Sequence, residues 1–346
     1  MNIKAWGLAA LLSAIASNVD AEAQRFIFLW ERAPAGCVER AASSCDPSAW
    51  PDPDQASYYL ASLYANGQFK LLDDALENIL ASNARFLNGR SVGTAAAFAF
   101  SYMLPSTNLD RKEIDRIAKW RDAVPQSHFT SLAEAYYWRR RAWNVRGAGY
   151  INTVSTESLD LFNKYLRDSD RLLQAIPEAD RNVLWYSFSI ENSLDLDKPT
   201  GALVDEGMKR WPHFYLLVEE VAPRLQPKWG HSWRDLESFA TRWTERLAGT
   251  EGDSMYARIY IRVRNDAAIN ETRVDWPTLK RSFQDLVKRY PTPIYKNLFA
   301  SYACAARDLP TYIEVMSALP KDQLRPKDWN NGHSYEACSR WGSRET

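Results

Sequence analysis

The chain has 346 residues, with 43 basic and 43 acidic side chains and four histidines. That balance gives no long-range field to draw nucleic acid or an anionic membrane surface, so neither is expected as a partner. With 46% hydrophobic residues and 14 tryptophans, a chain this long can bury most of its unfolded surface, which excludes a core-poor miniprotein held by disulfides alone.

Lys4 precedes an apolar run from Ala5 to Ala16, and Ala21-Glu22-Ala23 supplies the small-x-small pattern that signal peptidases read. Residues 1–23 are expected to be a cleaved secretory signal peptide, with a buried N-terminal helix as the alternative. The run falls short of the roughly 20 apolar residues of a membrane span, and no later run is long enough either. No Cys follows it, which argues against a lipid anchor. The mature chain is expected in the periplasm or secreted. Removing residues 1–23 takes away Lys4, Asp20 and Glu22 and leaves the charge near neutral.

Residues 24–31 alternate Phe26, Phe28 and Trp30 with Arg25, Ile27 and Leu29, which suits a short extended arm. Pro34, Gly36, Pro47, Pro51 and Pro53 then break the chain into a loop. The four cysteines allow three pairings. In an oxidising compartment, two local bridges are expected, Cys37–Cys45 and Cys304–Cys338, with a free buried thiol at Cys304 as the alternative. Neither pair has zinc-ligand spacing, so no metal is expected.

From Asp54 the spacing is helical. Tyr58, Tyr59, Leu60, Leu63 and Tyr64 end at Asn66-Gly67, and Leu71, Leu72, Ala75, Leu76, Ile79 and Leu80 follow after a short turn. Two helices so joined predict an antiparallel hairpin, loosely like a tetratricopeptide unit. Further helices are expected over 95–104, 109–124, 129–146, 155–176, 182–194, 200–211, 213–225, 232–247, 252–268, 276–289, 293–307 and 310–319. Ser232-x-x-Asp235 reads as a capping box. Tyr256 to Val263 (YARIYIRV) is the one strand-like run and is read as helix. The fold expected is all-α: an extended arm and loop over 24–53, an irregular tetratricopeptide-like array of antiparallel hairpins over 54–320, and a tail over 321–346 clipped back by a disulfide.

No catalytic signature is present. The four histidines, His128, His213, His231 and His333, have no H-x-x-x-H spacing. There is no G-x-S-x-G elbow, and Gly147-Ala148-Gly149 follows a helix, not a strand. The acid pairs Asp52/Asp54 and Asp195/Asp197 sit in loops. An enzyme built from distant side chains stays open as an alternative. No cofactor is expected.

Two clusters stand above this background. One is Tyr136-Tyr137-Trp138-Arg139-Arg140-Arg141-Ala142-Trp143 with Arg146. Leu132, Tyr136, Arg139, Trp143 and Arg146 share a helical face. Tyr137, Trp138, Arg139 and Arg140 are candidates for a contact surface, since Arg, Trp and Tyr dominate binding hot spots. The favoured alternative is internal, with Arg stems packed over rings and guanidinium groups capping carbonyls. The other cluster is Lys228-Trp229-Gly230-His231-Ser232-Trp233, with Trp229, His231 and Trp233 as candidate contacts. Its favoured alternative is a tight turn with Gly230 at positive φ, Ser232 capping the next helix, and both indoles in the core.

Several landmarks look familiar as a set. They are Trp143-Asn144-Val145-Arg146-Gly147, Thr153-Val154, Phe162-x-x-Tyr165-Leu166, Trp211-Pro212-x-Phe214-Tyr215, Pro227-Lys228-Trp229-Gly230-His231-Ser232-Trp233 and Tyr256-Ala257-Arg258-Ile259-Tyr260. In this order they resemble a bacterial family known as domain of unknown function 4034, and the tail Tyr335-Glu336-Ala337-Cys338 is similar to that family's C-terminus. His231 stands where the family usually has Gly. The resemblance implies a helical fold and bacterial origin, and it implies no activity or site residue.

The function expected is a non-catalytic periplasmic scaffold that binds a protein or peptide, most concretely an immunity-type protein neutralising a toxin effector. The alternatives are an envelope-acting enzyme with a dispersed site and a structural component of an envelope assembly.

Overall fold

The computed structural model describes residues 53–105, 109, 111–264, 269–272, 274–329 and 333–345. The proposed leader, the aromatic arm and the Cys37–Cys45 bridge lie outside the described residues. Among these, the chain forms α-helices and short 3₁₀ turns with no strand, so the fold is all-α. The helices are α1 (Pro53–Ala65), α2 (Phe69–Ala81), α3 (Gly93–Met103), α4 (Arg111–Ala123), α5 (Phe129–Arg146), α6 (Thr156–Ala175), α7 (Val183–Asp195) and α8 (Gly201–Arg210). They continue as α9 (Leu216–Glu219), α10 (Trp233–Arg246), α11 (Ser254–Val263), α12 (Trp276–Arg289), α13 (Pro293–Ala305), α14 (Leu309–Ser317) and α15 (Tyr335–Glu345). No described helix is long and apolar enough to cross a membrane.

The chain divides into two compact units. Unit 1 comprises the described residues up to Phe86 together with Val92–Tyr165, and unit 2 comprises Leu87–Ser91 and the chain from Leu166 onward.

In unit 1, α1 packs most extensively on α3, not on its sequence neighbour α2. Ala95, Ala96 and Ala99 on α3 and Ala56 and Ser57 on α1 are all buried, and side chains this small permit close helix approach. Trp120 of α4 is fully buried and stacks on Phe69 of α2 at 6.3 Å. Its indole Nε1 donates to Asp73 Oδ1 at 3.0 Å, and the Ser127 hydroxyl donates to the same oxygen. Burial pushes the Asp73 carboxyl up, and those two donors with nearby His128 pull it back.

In unit 2, each helix from α10 to α14 packs on the next in sequence. Asn182 caps α7, its Oδ1 accepting the backbone N–H groups of Leu184 and Trp185 at 3.0 and 3.2 Å. The YARIYIRV run is helical as read, and Ser254 to Ile261 is buried throughout, the polar Ser254 and Arg258 included. Cys304 of α13 and Cys338 of α15 form the expected disulfide, with Cα atoms 5.8 Å apart.

The helix expected over 252–268 ends at Val263, and two further elements differ from expectation. The segment 213–225 is not one helix: α9 spans only Leu216–Glu219, and a 3₁₀ turn with Pro223 near its start follows over Ala222–Leu225. A proline inside a helix lacks the N–H its turn needs. The tail is not merely clipped back, because residues Tyr335–Glu345 form a helix of their own.

Candidate binding site

The site is built on the turn before α10. The 3₁₀ turn Pro227–Trp229 ends at Gly230, whose φ of +84° lies in the left-handed region and lets its N–H return to Pro227 O at 3.1 Å. His231 is exposed. Ser232 then caps α10: its hydroxyl oxygen accepts from Asp235 N at 3.3 Å, while Asp235 Oδ2 accepts from Ser232 N at 2.7 Å. The hydrogen bonds from Ser232 hold the Asp235 carboxyl below its ordinary range. The turn and capping box follow the sequence reading.

The indoles do not. Trp229 and Trp233 are half-buried, not core residues. Trp229 is covered by the Arg224 guanidinium, 4.1 Å from its ring centroid, with Lys228 Nζ at 5.8 Å. Arg224 is itself anchored, donating through Nη2 to Leu194 O at 2.6 Å. A cation held over an indole keeps the ring at the surface in a fixed place, without core burial.

Beside this turn lies an open depression of about 680 Å³ lined by Pro227, His231, Ser232, Trp233, Arg234 and Glu237. Trp233 and Glu237 are four residues apart on α10 and so share a face. Glu237 is held from behind. Its Oε2 accepts the Tyr256 hydroxyl at 2.6 Å and the Tyr260 hydroxyl at 2.5 Å, both from α11. Burial pushes both phenols far up, with the Glu237 carboxylate adding to the effect, so they remain protonated donors. Glu237 carries no mark of this role in its own sequence neighbourhood. The Tyr256-x-x-x-Tyr260 spacing was visible, but its acceptor lies on another helix.

In unit 1, the α5 cluster is used internally. Tyr137, read as a candidate contact, is only 4% exposed and offers no contact surface. It shares a helical face with buried Thr130 and Ala133, which turns it into the core. Arg140 Nε donates to Leu104 O at 3.0 Å, and Arg141 Nη1 donates to Leu109 O at 2.8 Å, each meeting a carbonyl outside its own helix. Trp138 stacks on Tyr165 at 5.3 Å, and Arg139 is half-buried. Arg146 lies 5.1 Å from the Trp143 ring and donates to Gly147 O at 3.0 Å. This is the internal arrangement of arginines over rings and on carbonyls that the sequence reading favoured.

Unit 2 also holds a buried polar cluster. Arg258 Nε meets Glu251 Oε1 at 2.5 Å, and Arg258 Nη1 donates to Tyr295 Oη at 2.7 Å. Glu251 also accepts the Tyr290 hydroxyl at 2.8 Å and the Ser254 hydroxyl at 2.9 Å. Arg258 Nη2 and the Tyr295 hydroxyl both donate to Asn88 O, at 2.8 and 3.0 Å. Arg90 Nη2 sits 2.6 Å from Glu219 Oε2, which is fully buried. Among the described residues, no group of three or more His, Cys, Asp or Glu is placed to hold a metal ion.

These elements define an all-helical protein whose second unit carries a depression lined by Trp233 and by a tyrosine-held carboxylate. Residues 57–205 match the family described as Domain of unknown function (DUF4034), which bears out the resemblance over that stretch. The match runs from α1 into α8, so the depression lies beyond it. No curated protein and no solved structure matches the chain.

Proposed function

We propose that the chain is an exported helical scaffold that binds a protein partner through the turn and depression at the start of α10. The observation that carries this reading is the half-exposed pair Trp229 and Trp233, fixed in place by Arg224 and by the Ser232–Asp235 capping box. Rigid indoles at a surface bury large area on contact with little loss of side-chain freedom, and tryptophan leads the residues that dominate interfaces. Export is supported by the leader-like residues 1–23 and by the Cys304–Cys338 disulfide, a bond that persists in oxidising compartments. The narrower form of the reading is an immunity-type protein that neutralises a toxin effector outside the cytoplasm.

The test is capture from periplasmic extract of the native host on the tagged mature chain, run in parallel with Trp229→Ala and Trp233→Ala. A stoichiometric partner retained by the wild type and lost by both variants is the expected result. Retention unchanged by the two substitutions overturns the site, and recovery of the chain from the cytosol with residues 1–23 uncut overturns the compartment.

A further inference from the structure

The depression has a chemistry more specific than a sticky aromatic surface. It combines an indole, Trp233, with a carboxylate, Glu237, on one helical face, and His231 and Arg234 also line it. Glu237 has no ion-pair partner among the described residues. Its Oε2 already accepts two phenol hydroxyls, at 2.6 and 2.5 Å, which leaves Oε1 unpartnered among the described residues. The positive end of the α10 dipole is met by Asp235 in the capping box, so Glu237 is not consumed in compensating it. An aromatic face beside a free carboxylate oxygen is the arrangement that recognises an organic cation.

We propose that this depression receives a lysine side chain of the protein partner. The choice of lysine follows from oxygen count. An arginine fork is best matched by two carboxylate oxygens in one plane, and here one of them is occupied. An ammonium is a compact charge that needs a single acceptor, and its four-carbon stem can lie along an indole. The inference rests on the protein-binding reading for its source of lysine, but the site itself can be tested without the partner.

The probe is Nα-acetyl-lysine methylamide, titrated into the full mature chain while the Trp233 indole N–H resonance is followed, with Trp233→Phe used for assignment. Blocked lysine is expected to shift that resonance saturably at about millimolar concentration, while blocked norleucine, with the same stem and no charge, leaves it in place. Blocked arginine is expected to bind more weakly than lysine. Glu237→Gln keeps an acceptor for Tyr256 and Tyr260 and removes the charge, and it should weaken lysine binding at least about tenfold. A norleucine response equal to that of lysine overturns the proposal, as does arginine binding at least as well as lysine; both comparisons use the wild-type chain and need no variant to fold. Unchanged lysine binding by a folded Glu237→Gln protein overturns it too. If blocked lysine binds but capture finds no partner, the cation site stands and the protein-binding reading falls. If capture succeeds through Trp229 and Trp233 without a lysine response, only the lysine assignment falls.

Discussion

Arg258 and Glu251 form an ion pair inside unit 2, Nε to Oε1 at 2.5 Å, with 1% and 0% of their side chains exposed. Every nitrogen of the guanidinium is used: the other two reach the Tyr295 hydroxyl and the Asn88 carbonyl. Tyr290 and Tyr295 also stand with their rings about the same cation, 5.1 and 5.4 Å from it. A pair so placed is costly to break on one side only, because the surviving charge stays buried and unmatched. Arg258→Met and Glu251→Leu should each destabilise the protein by about 3–5 kcal/mol, and the double variant by much less than their sum. Urea unfolding of the four proteins measures this. Additive losses would mean the two charges do not depend on each other.

The same cluster fixes Gly89. Its φ is +80°, and a Cβ there would lie 2.3 Å from Tyr290 Cζ and 2.7 Å from Arg258 Nη2. Both the backbone conformation and the space exclude a side chain, so Gly89→Ala should cost about 2–4 kcal/mol. Gly249 has nothing within 4 Å of its would-be Cβ. Gly249→Ala, as a control, should fall within about 0.5 kcal/mol of wild type by thermal or urea unfolding.

The helices were largely legible because their ends carry chemical signals. Phe129–Arg146 and Trp276–Arg289 match the expected spans to the residue, and each is marked by local features: Gly147 after one, Asp275 and Pro277 at the start of the other. Ser232 and Asp235 announced a cap through spacing alone. Pairings between helices were not legible. The preference of α1 for α3 depends on small residues some forty positions apart, which no local period reveals. The candidate site divides in the same way. Its turn was visible in Lys228-Trp229-Gly230-His231-Ser232-Trp233, while Glu237 gains its role from tyrosines 19 and 23 residues away. Asn88 meets Arg258 across 170 residues, beyond any pattern in the chain.

The capping box offers a local test. Ser232→Ala removes the acceptor for Asp235 N and should cost about 1 kcal/mol. The functional consequence should be separable: with α10 frayed at its start, Trp233 loses its fixed place, and partner capture should weaken more than stability does. Equal capture by Ser232→Ala and wild type would show that recognition does not depend on this helix start.

The Cys304–Cys338 bridge joins positions 34 apart, and Cys338 is fully buried. A cross-link closing a loop of that length restricts the unfolded chain by about 4 kcal/mol in the chain-entropy account. Cys304→Ala/Cys338→Ala should therefore lower stability by about 2–4 kcal/mol, and adding a reductant to the wild type should reproduce most of the loss. A reductant-insensitive unfolding curve at full thiol release would contradict this.

Acid stability should report on Asp308. This residue caps α14, its Oδ1 accepting Thr311 N at 3.1 Å, and its Oδ2 accepts the Trp276 indole at 2.9 Å and Lys280 Nζ at 3.0 Å, both from α12. Burial pushes the carboxyl up, but Trp276, Lys280 and Thr311 together outweigh it and hold the group at about 2. A carboxyl held low in the folded state contributes its full stability above the unfolded value of about 3.9, and that contribution is lost as pH falls through the folded value. Urea unfolding at stepped pH should show Asp308→Asn less stable than wild type at neutral pH by about 1–2 kcal/mol, the difference shrinking between about pH 4 and 2. High salt should trim the part owed to Lys280, which is partly exposed, and spare the part owed to the Trp276 indole. Parallel pH profiles for the two proteins would place the acid-sensitive group elsewhere.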